Sequence, residues 1–144
     1  MITLSRTAAR DALNELAASL PADLVTRKGR YWHFLTGALA PGASVQIEED
    51  GDRATIDLVY VEANRRRHGD ARTALNRVLE AMDAQPGGVE MDLIVSPTPL
   101  RGSDFDTMAE EHVLIRFYES LGFEDAGEND DFQPYLVRRA GGIR

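Results

Sequence analysis

The chain has no cysteine. Disulfides, thiolate metal sites and an acyl-cysteine intermediate are excluded, so acyl transfer, if any, would use direct attack by the acceptor. Nothing approaches the ~18 continuous apolar residues of a membrane-spanning helix. The opening MITLSRTAARD lacks the apolar core of a secretory leader, and a cytoplasmic location is the expectation. Neither G-x-x-x-x-G-K-[ST] nor G-x-G-x-x-G occurs, which removes the common nucleotide-binding loops. Positive charge is scarce overall. A formal net charge of −8 argues against broad nucleic-acid binding, which relies on Lys and Arg neutralising phosphates.

What is present is ordinary in bulk and uneven in detail. With 144 residues, 43% hydrophobic and 28% charged, the chain can bury one substantial core. It reads as a single domain over residues 1–144, with 140–144 a frayed tail. The arginines cluster: Arg65, Arg66, Arg67 and Arg72 put four positive charges into eight residues.

That cluster sits inside the stretch that orders the rest. Ile56, Leu58, Val59 and Val61 predict a well-buried strand. After Arg65-Arg66-Arg67-His68-Gly69, the residues Ala71, Leu75, Val78, Leu79 and Met82 recur on one face of a helix. A strand, a basic turn with one glycine and a helix start suit an anion. The first helical amides lack partners, and the dipole places about half a positive charge there.

The flanking segments are legible by the same rules. Residues 5–20 predict a helix with Ala9, Ala12, Leu13, Leu16 and Leu20 inward, Ser5 as cap and Pro21 as stop. Two short strands flank Lys28-Gly29, Trp32 and Phe34 alternating with His33. Val45 and Ile47 alternate with polar neighbours in a half-exposed strand over 44–49, turned by Asp50-Gly51. Residues 89–95 give a strand parallel to the central one, with Met91, Leu93 and Val95 on one face. Thr107-Met108-Ala109-Glu110 reads as a capping box. Its helix carries Val113, Leu114, Phe117, Tyr118 and Leu121 on one side and stops at Gly122. Glu124, Asp125, Glu128, Asp130 and Asp131 read as a solvated acidic loop, and residues 133–139 close the sheet.

Two motifs carry a family resemblance. Arg66-Arg67-His68-Gly69-Asp70-Ala71 fits the Gln/Arg-x-x-Gly-x-Gly/Ala signature of the GCN5-related N-acetyltransferases. Phe117-Tyr118-Glu119-Ser120-Leu121-Gly122-Phe123 resembles that family's Leu/Phe-Tyr-x-x-Leu-Gly-Phe helix end, in the right order and at the right distance. The resemblance covers residues 43–139. It implies an α/β (α+β) fold: a mixed, mostly antiparallel central sheet with a splayed parallel strand pair and flanking helices. It implies acetyl-coenzyme A as co-substrate, with Arg66, Arg67, His68, Gly69, Asp70, Ala71 and Arg72 at its pyrophosphate.

The resemblance also implies the parts of a reaction. A bulge in the central strand would free a backbone amide among Val59, Tyr60 and Val61 to polarise the thioester carbonyl. Tyr118 would protonate the departing thiolate; a phenol of pKa about 10 holds its proton at neutral pH. Asp57 and Glu62 lie where the family sometimes places a base. Their odd separation puts them on opposite faces of a regular strand, so at most one reaches the amine. His33 is a further candidate base. The acceptor is an amine on a small molecule or a protein, drawn as a cation by the acidic 124–131 segment; no metal, nucleic acid or membrane is called for, and a second copy of the chain is an allowed partner. Two departures stand out. The family's asparagine is Glu111 here, and the 96–106 loop is long, readable as a lid, a partner contact or a neutral insertion. They leave open a fold-retaining binding module without turnover.

Overall fold

Alternating side chains and glycine turns build the amino-terminal half. A computed structural model describes residues 7–62, 64, 68–95 and 111–140. It places helix α1 at Ala8–Ala18, then strands β1 (Val25–Lys28), β2 (Tyr31–Phe34), β3 (Ala43–Asp50) and β4 (Arg53–Val61). Each strand pairs antiparallel with the next. The β1–β2 and β3–β4 turns use Gly29 and Gly51 at positive φ, a conformation glycine adopts without steric cost. Along α1, Ala9, Ala12, Leu13 and Leu16 are buried at the spacing of one helix face. The Ser5 cap lies outside the described residues.

The second half interleaves helices and strands: α2 (Asp70–Asp83), β5 (Glu90–Ile94), α3 (Glu111–Glu119), β6 (Glu124–Glu128) and β7 (Pro134–Arg138). The seven strands form one sheet in the order β1-β2-β3-β4-β5-β7-β6. Only β4 and β5 run parallel. This is the mixed, mostly antiparallel sheet that the resemblance implies.

The described helices gather on one face. α1 and α2 pack on each other and on β3 and β4. Under them Phe34, Val45, Ile47, Ile56, Leu93 and Leu136 form a continuous apolar layer, each buried. Burying such a side chain fully stabilises the fold by about 1.5–3 kcal/mol. Arg138 links β7 to α2 and to the end of α3: it makes a two-bond ion pair with Asp83 of α2 (2.8 Å each) and donates to the Leu121 carbonyl after α3 (3.0 Å). The opposite face carries Thr26, Lys28, Tyr31, His33, Gln46, Thr55 and Asp92, and no described helix covers it.

Three local expectations change. β3 is largely buried, because it lies between β2 and β4 and its one inward carboxylate is satisfied. Glu49 accepts from Trp32 Nε1 (2.7 Å) and Arg10 Nε (2.8 Å), which lets a carboxylate sit at 5% exposure. On α3, Val113 points outward at 54% exposure, and Ile115 packs partly inward instead. The acidic segment is a strand for most of its length: β6 is the sheet's edge, every residue of it exposed, with Asp130 and Asp131 in the turn to β7. Charge on an edge strand discourages pairing with another chain. The 96–106 loop, the 107–110 capping box and residues 141–144 lie outside the described residues.

Candidate active site

The site begins with an irregularity in β4. Ile56 pairs with Ile47 and Leu58 with Gln46, so Asp57 has no partner on β3: it is a bulge. The bulge reverses the alternation of the strand. Ala54 and Ile56 face the core before it, and Val59 and Val61 pack against the core after it. Leu58 and Tyr60 turn to the opposite face, Tyr60 at 44% exposure. The far half of β4 is therefore less buried than the apolar run suggests.

The parallel pairing stops at the same place. β4 and β5 are matched from Arg53–Glu90 to Ile56–Leu93 and no further. Beyond Ile56 the two strands part. Glu62 donates its amide to the Gly42 carbonyl on the β3 side (2.8 Å). Alternate amides of a strand point the same way, so Tyr60 and Leu58 also face β3. Those of Val59 and Val61 face the side that β5 has left. Of the three residues proposed from sequence, two thus aim their amides at the opening.

The start of α2 lies at that end of the sheet. Gly42 bridges the two: its carbonyl accepts from Glu62, and its amide donates to the Asp70 carboxylate (3.0 Å). Asp70 is buried, with its side chain turned to this brace. Gly69 caps the helix at φ 80°, the left-handed region, and among the described residues nothing lies within 4 Å of where a Cβ would stand. Glycine is needed here for its backbone. Ala71 is partly buried and His68 exposed. Arg65, Arg66 and Arg67 lie outside the described residues. Arg72 reaches sideways, donating to Ser120 Oγ (2.9 Å) with its guanidinium 5.2 Å from the Phe117 ring centre. The first motif is thereby tied to the second.

The second motif is a helix end with defined hydrogen bonds. Phe123 donates its amide to the Tyr118 carbonyl (3.2 Å) and Gly122 to that of Glu119 (3.0 Å), with Gly122 at φ 100°. This is the Schellman arrangement, and its customary apolar contact is present as Tyr118 against Phe123, ring centres 5.8 Å apart. Phe117 meets the other side of Tyr118 at 5.3 Å. Among the described residues the Tyr118 hydroxyl has no hydrogen-bond partner. Burial pushes its pKa up to about 12.

The candidate bases separate. Asp57, at the bulge, looks out on the helix-free face and lines a pocket of about 150 Å³ together with Thr26, Lys28, Tyr31, His33 and Gln46. Its pKa is raised, first by partial burial and then by the negative charges of Glu48 and Asp92. His33 is brought beside it in the pocket lining, although the two are far apart in sequence. Glu62 is exposed beyond the strand and is not part of that lining. Tyr118 packs on the helix-covered side, so the acid and Asp57 stand on opposite faces of the sheet. Thr26, Lys28 and Gln46 escaped the sequence reading. Parity was the available signal for Thr26 and Gln46, outward positions beside the inward Val25, Val45 and Ile47; Lys28, between Arg27 and Gly29, carried none.

No protein-family model and no curated protein matches the sequence. Solved structures do match the fold. An acetyltransferase from Thermus thermophilus aligns with 94% of this chain and 95% of its own, at 16% identity and TM-score 0.55. The ribosomal-protein alanine N-acetyltransferase of Escherichia coli aligns over 99% and 96%, at 20% identity and TM-score 0.52. The PaiA N-acetyltransferase of Thermoplasma acidophilum, solved in complex with coenzyme A, aligns over 76% of this chain at 15% identity and TM-score 0.53. This chain spans 59% of that protein's length. The architecture is therefore that of the GCN5-related N-acetyltransferase fold.

Proposed function

We propose that the chain is an acetyl-coenzyme A-dependent N-acetyltransferase that passes the acetyl group directly from the thioester to an amine. The observation that carries this reading is the opening between β4 and β5. It starts at the Asp57 bulge and has the Gly69 helix start at the same end. That the Thermoplasma neighbour was solved with coenzyme A supports the choice of co-substrate.

The residues divide the work. The first amides of α2, with Gly69 and the basic residues Arg66, Arg67 and His68, receive the pyrophosphate. Arg72 acts at one remove, by holding α3 against α2. The Val59 amide donates to the thioester oxygen, and the bond strengthens as that oxygen gains charge in the tetrahedral intermediate. Asp57 takes a proton from the acceptor's ammonium, and the freed nitrogen lone pair forms the C–N bond. The C–S bond breaks as Tyr118 supplies a proton to the sulfur; the second proton, shed by the nitrogen as it becomes an amide, returns through water to the Tyr118 phenolate, and the proton on Asp57 passes to solvent. Base and acid on opposite faces suit a nucleophile entering from one side and a thiolate leaving on the other. With its pKa near 12, Tyr118 keeps its proton throughout the working range.

Two substitutions at Gly69 test the anchor. Asn tolerates the left-handed backbone, whereas Val opposes it. Calorimetry with coenzyme A should show affinity lost for Gly69→Val and partly kept for Gly69→Asn. A folded Gly69→Val protein of full affinity would remove the reading. Tyr118→Phe should lower turnover by about 10²–10⁴-fold while leaving coenzyme affinity intact.

A further inference from the structure

We infer that the acceptor is a linear ω-amino acid, lying across the helix-free face with its amine at Asp57 and its carboxylate at Lys28. The inference rests on the acetyl-transfer reading for the fate of the amine, but the pocket's selectivity can be measured without turnover.

The pocket is distinguished by what its polar groups do. Thr26, Lys28, His33, Gln46 and Asp57 all line it, and among the described residues none of their side chains makes a hydrogen bond or ion pair. Register puts them together. Thr26, His33, Gln46 and Leu58 stand opposite one another across four strands, and Lys28 stands opposite Tyr31 in the adjacent outward row. The carboxylates of that second row are already held, Glu48 by Arg30 at 2.9 Å and Asp92 by Arg53 at 2.8 Å. A ligand therefore meets one cation at one end, one carboxylate at the other, and amide, hydroxyl and imidazole groups between.

The spacing selects the ligand's length. Lys28 on β1 and Asp57 on β4 are three strand intervals apart, roughly 14 Å between backbones. A lysine stem of roughly 6 Å that stands off the sheet and leans partly inward leaves about 11–13 Å between charges, and an ion-pair contact of about 2.8 Å at each end leaves about 6–8 Å for the ligand's own amine-to-carboxylate span. An α-amino acid cannot bridge that distance, whereas an amine and a carboxylate separated by four methylenes can. A diamine of the same length would place its second cation against Lys28. The amine end is also the functional end. Asp57 is the bulge residue, two positions from the Val59 amide that faces the opening, so a nitrogen held there lies beside the proposed thioester site. The elevated pKa of Asp57 makes it a stronger base than an ordinary carboxylate and supports this placement.

The test uses 5-aminopentanoate, with pentylamine, pentanoate, 1,5-diaminopentane, 3-aminopropanoate and an alanyl peptide amide as comparisons. Calorimetry on the protein saturated with coenzyme A should rank 5-aminopentanoate at least tenfold above each of them. Lys28→Met should bring its affinity down to that of pentylamine, and Asp57→Asn to that of pentanoate. Lys28 is exposed on the first strand, so its loss leaves the core untouched. Equal binding of pentylamine, tighter binding of the peptide, or an unchanged Lys28→Met variant would each overturn the inference. Coenzyme release separates the two levels. Release with simple amines but no preference for the carboxylate removes the pocket proposal and leaves acetyl transfer standing. Selective binding of 5-aminopentanoate without release keeps the pocket and removes acetyl transfer.

Discussion

The helix-free face of the sheet has two halves that treat polar side chains in opposite ways. Over β4, β5 and β7, Asp92 accepts from Arg53 (2.8 Å), Tyr135 (2.6 Å) and the Thr55 hydroxyl, and Arg53 also pairs with Glu90 (3.4 Å). Every group in that cluster has a partner, and Asp92 is buried to 8% exposure. Over β1 to β4, five polar side chains around one pocket have none among the described residues. The boundary between the halves is the Asp57 bulge. A parallel pair that must stay closed as far as Ile56 and Leu93 is braced by a saturated network just below its last matched residues. Where a ligand is to be met, hydrogen-bonding capacity is left unspent. The same residue types thus serve cohesion on one side and recognition on the other.

The contrast can be broken most sharply at Asp92. Asp92→Ala leaves a guanidinium and two hydroxyls without their shared acceptor, and should cost about 3 kcal/mol of stability in chemical denaturation. A loss below about 1 kcal/mol would mean the two halves are alike. Tyr135→Phe removes a single donor to the same carboxylate and should cost about 1–1.5 kcal/mol.

The open half should respond to pH instead. Because the folded-state pKa of Asp57 is raised, folding strengthens its hold on a proton. The stability this brings is complete below the ordinary value of 3.8 and is lost as pH rises through the elevated one. Asp57→Asn removes that loss, so the variant should gain on the parent protein as pH climbs through this window. Parallel stability curves for the two proteins would contradict the assignment. The smallest effect is expected from Thr26→Val at the pocket rim, within about 0.5 kcal/mol of no change.

How far each half was legible follows from what sets it. The helix ends and turns are local, and the sequence announces them: Leu121-Gly122-Phe123 predicts a left-handed stop, and the structure adds the two crossed hydrogen bonds that hold Tyr118 in place. The bulge left a trace as well. Leu58 and Val59 are adjacent apolar residues in a strand that otherwise alternates, which is what a reversal of parity writes into a sequence. The burial of β3 is not legible in its own residues, because its neighbours on both sides and the Glu49 bonds come from elsewhere in the chain. β6 reads as a loop because its carboxylates dominate its composition, yet pairing with β7 decides its conformation. The pocket was invisible for a related reason. Thr26, Lys28 and Gln46 are ordinary outward residues one at a time, and only cross-strand register makes them a group. Asp92, a lone acid among Met91, Leu93 and Ile94, did carry a signal, since an acid inside an apolar strand calls for partners.

Bulges are usually described by shape, but the one at Asp57 also acts as punctuation. It resets the count by which even and odd positions of β4 are assigned to core and solvent. Were Asp57 paired in regular alternation, the strand would be read in the wrong frame from Leu58 onward. Val59 and Val61 would be sent to water, Leu58 and Tyr60 to the core, and the amides that face the opening would be exchanged for those that bind β3. Deleting Asp57 has no such consequence, because Ile56 would still face Ile47 and Leu58 would still face Gln46. A one-residue deletion there should therefore keep the core and cost the site its bulge, whereas a one-residue insertion between Leu58 and Val59 should disturb the core.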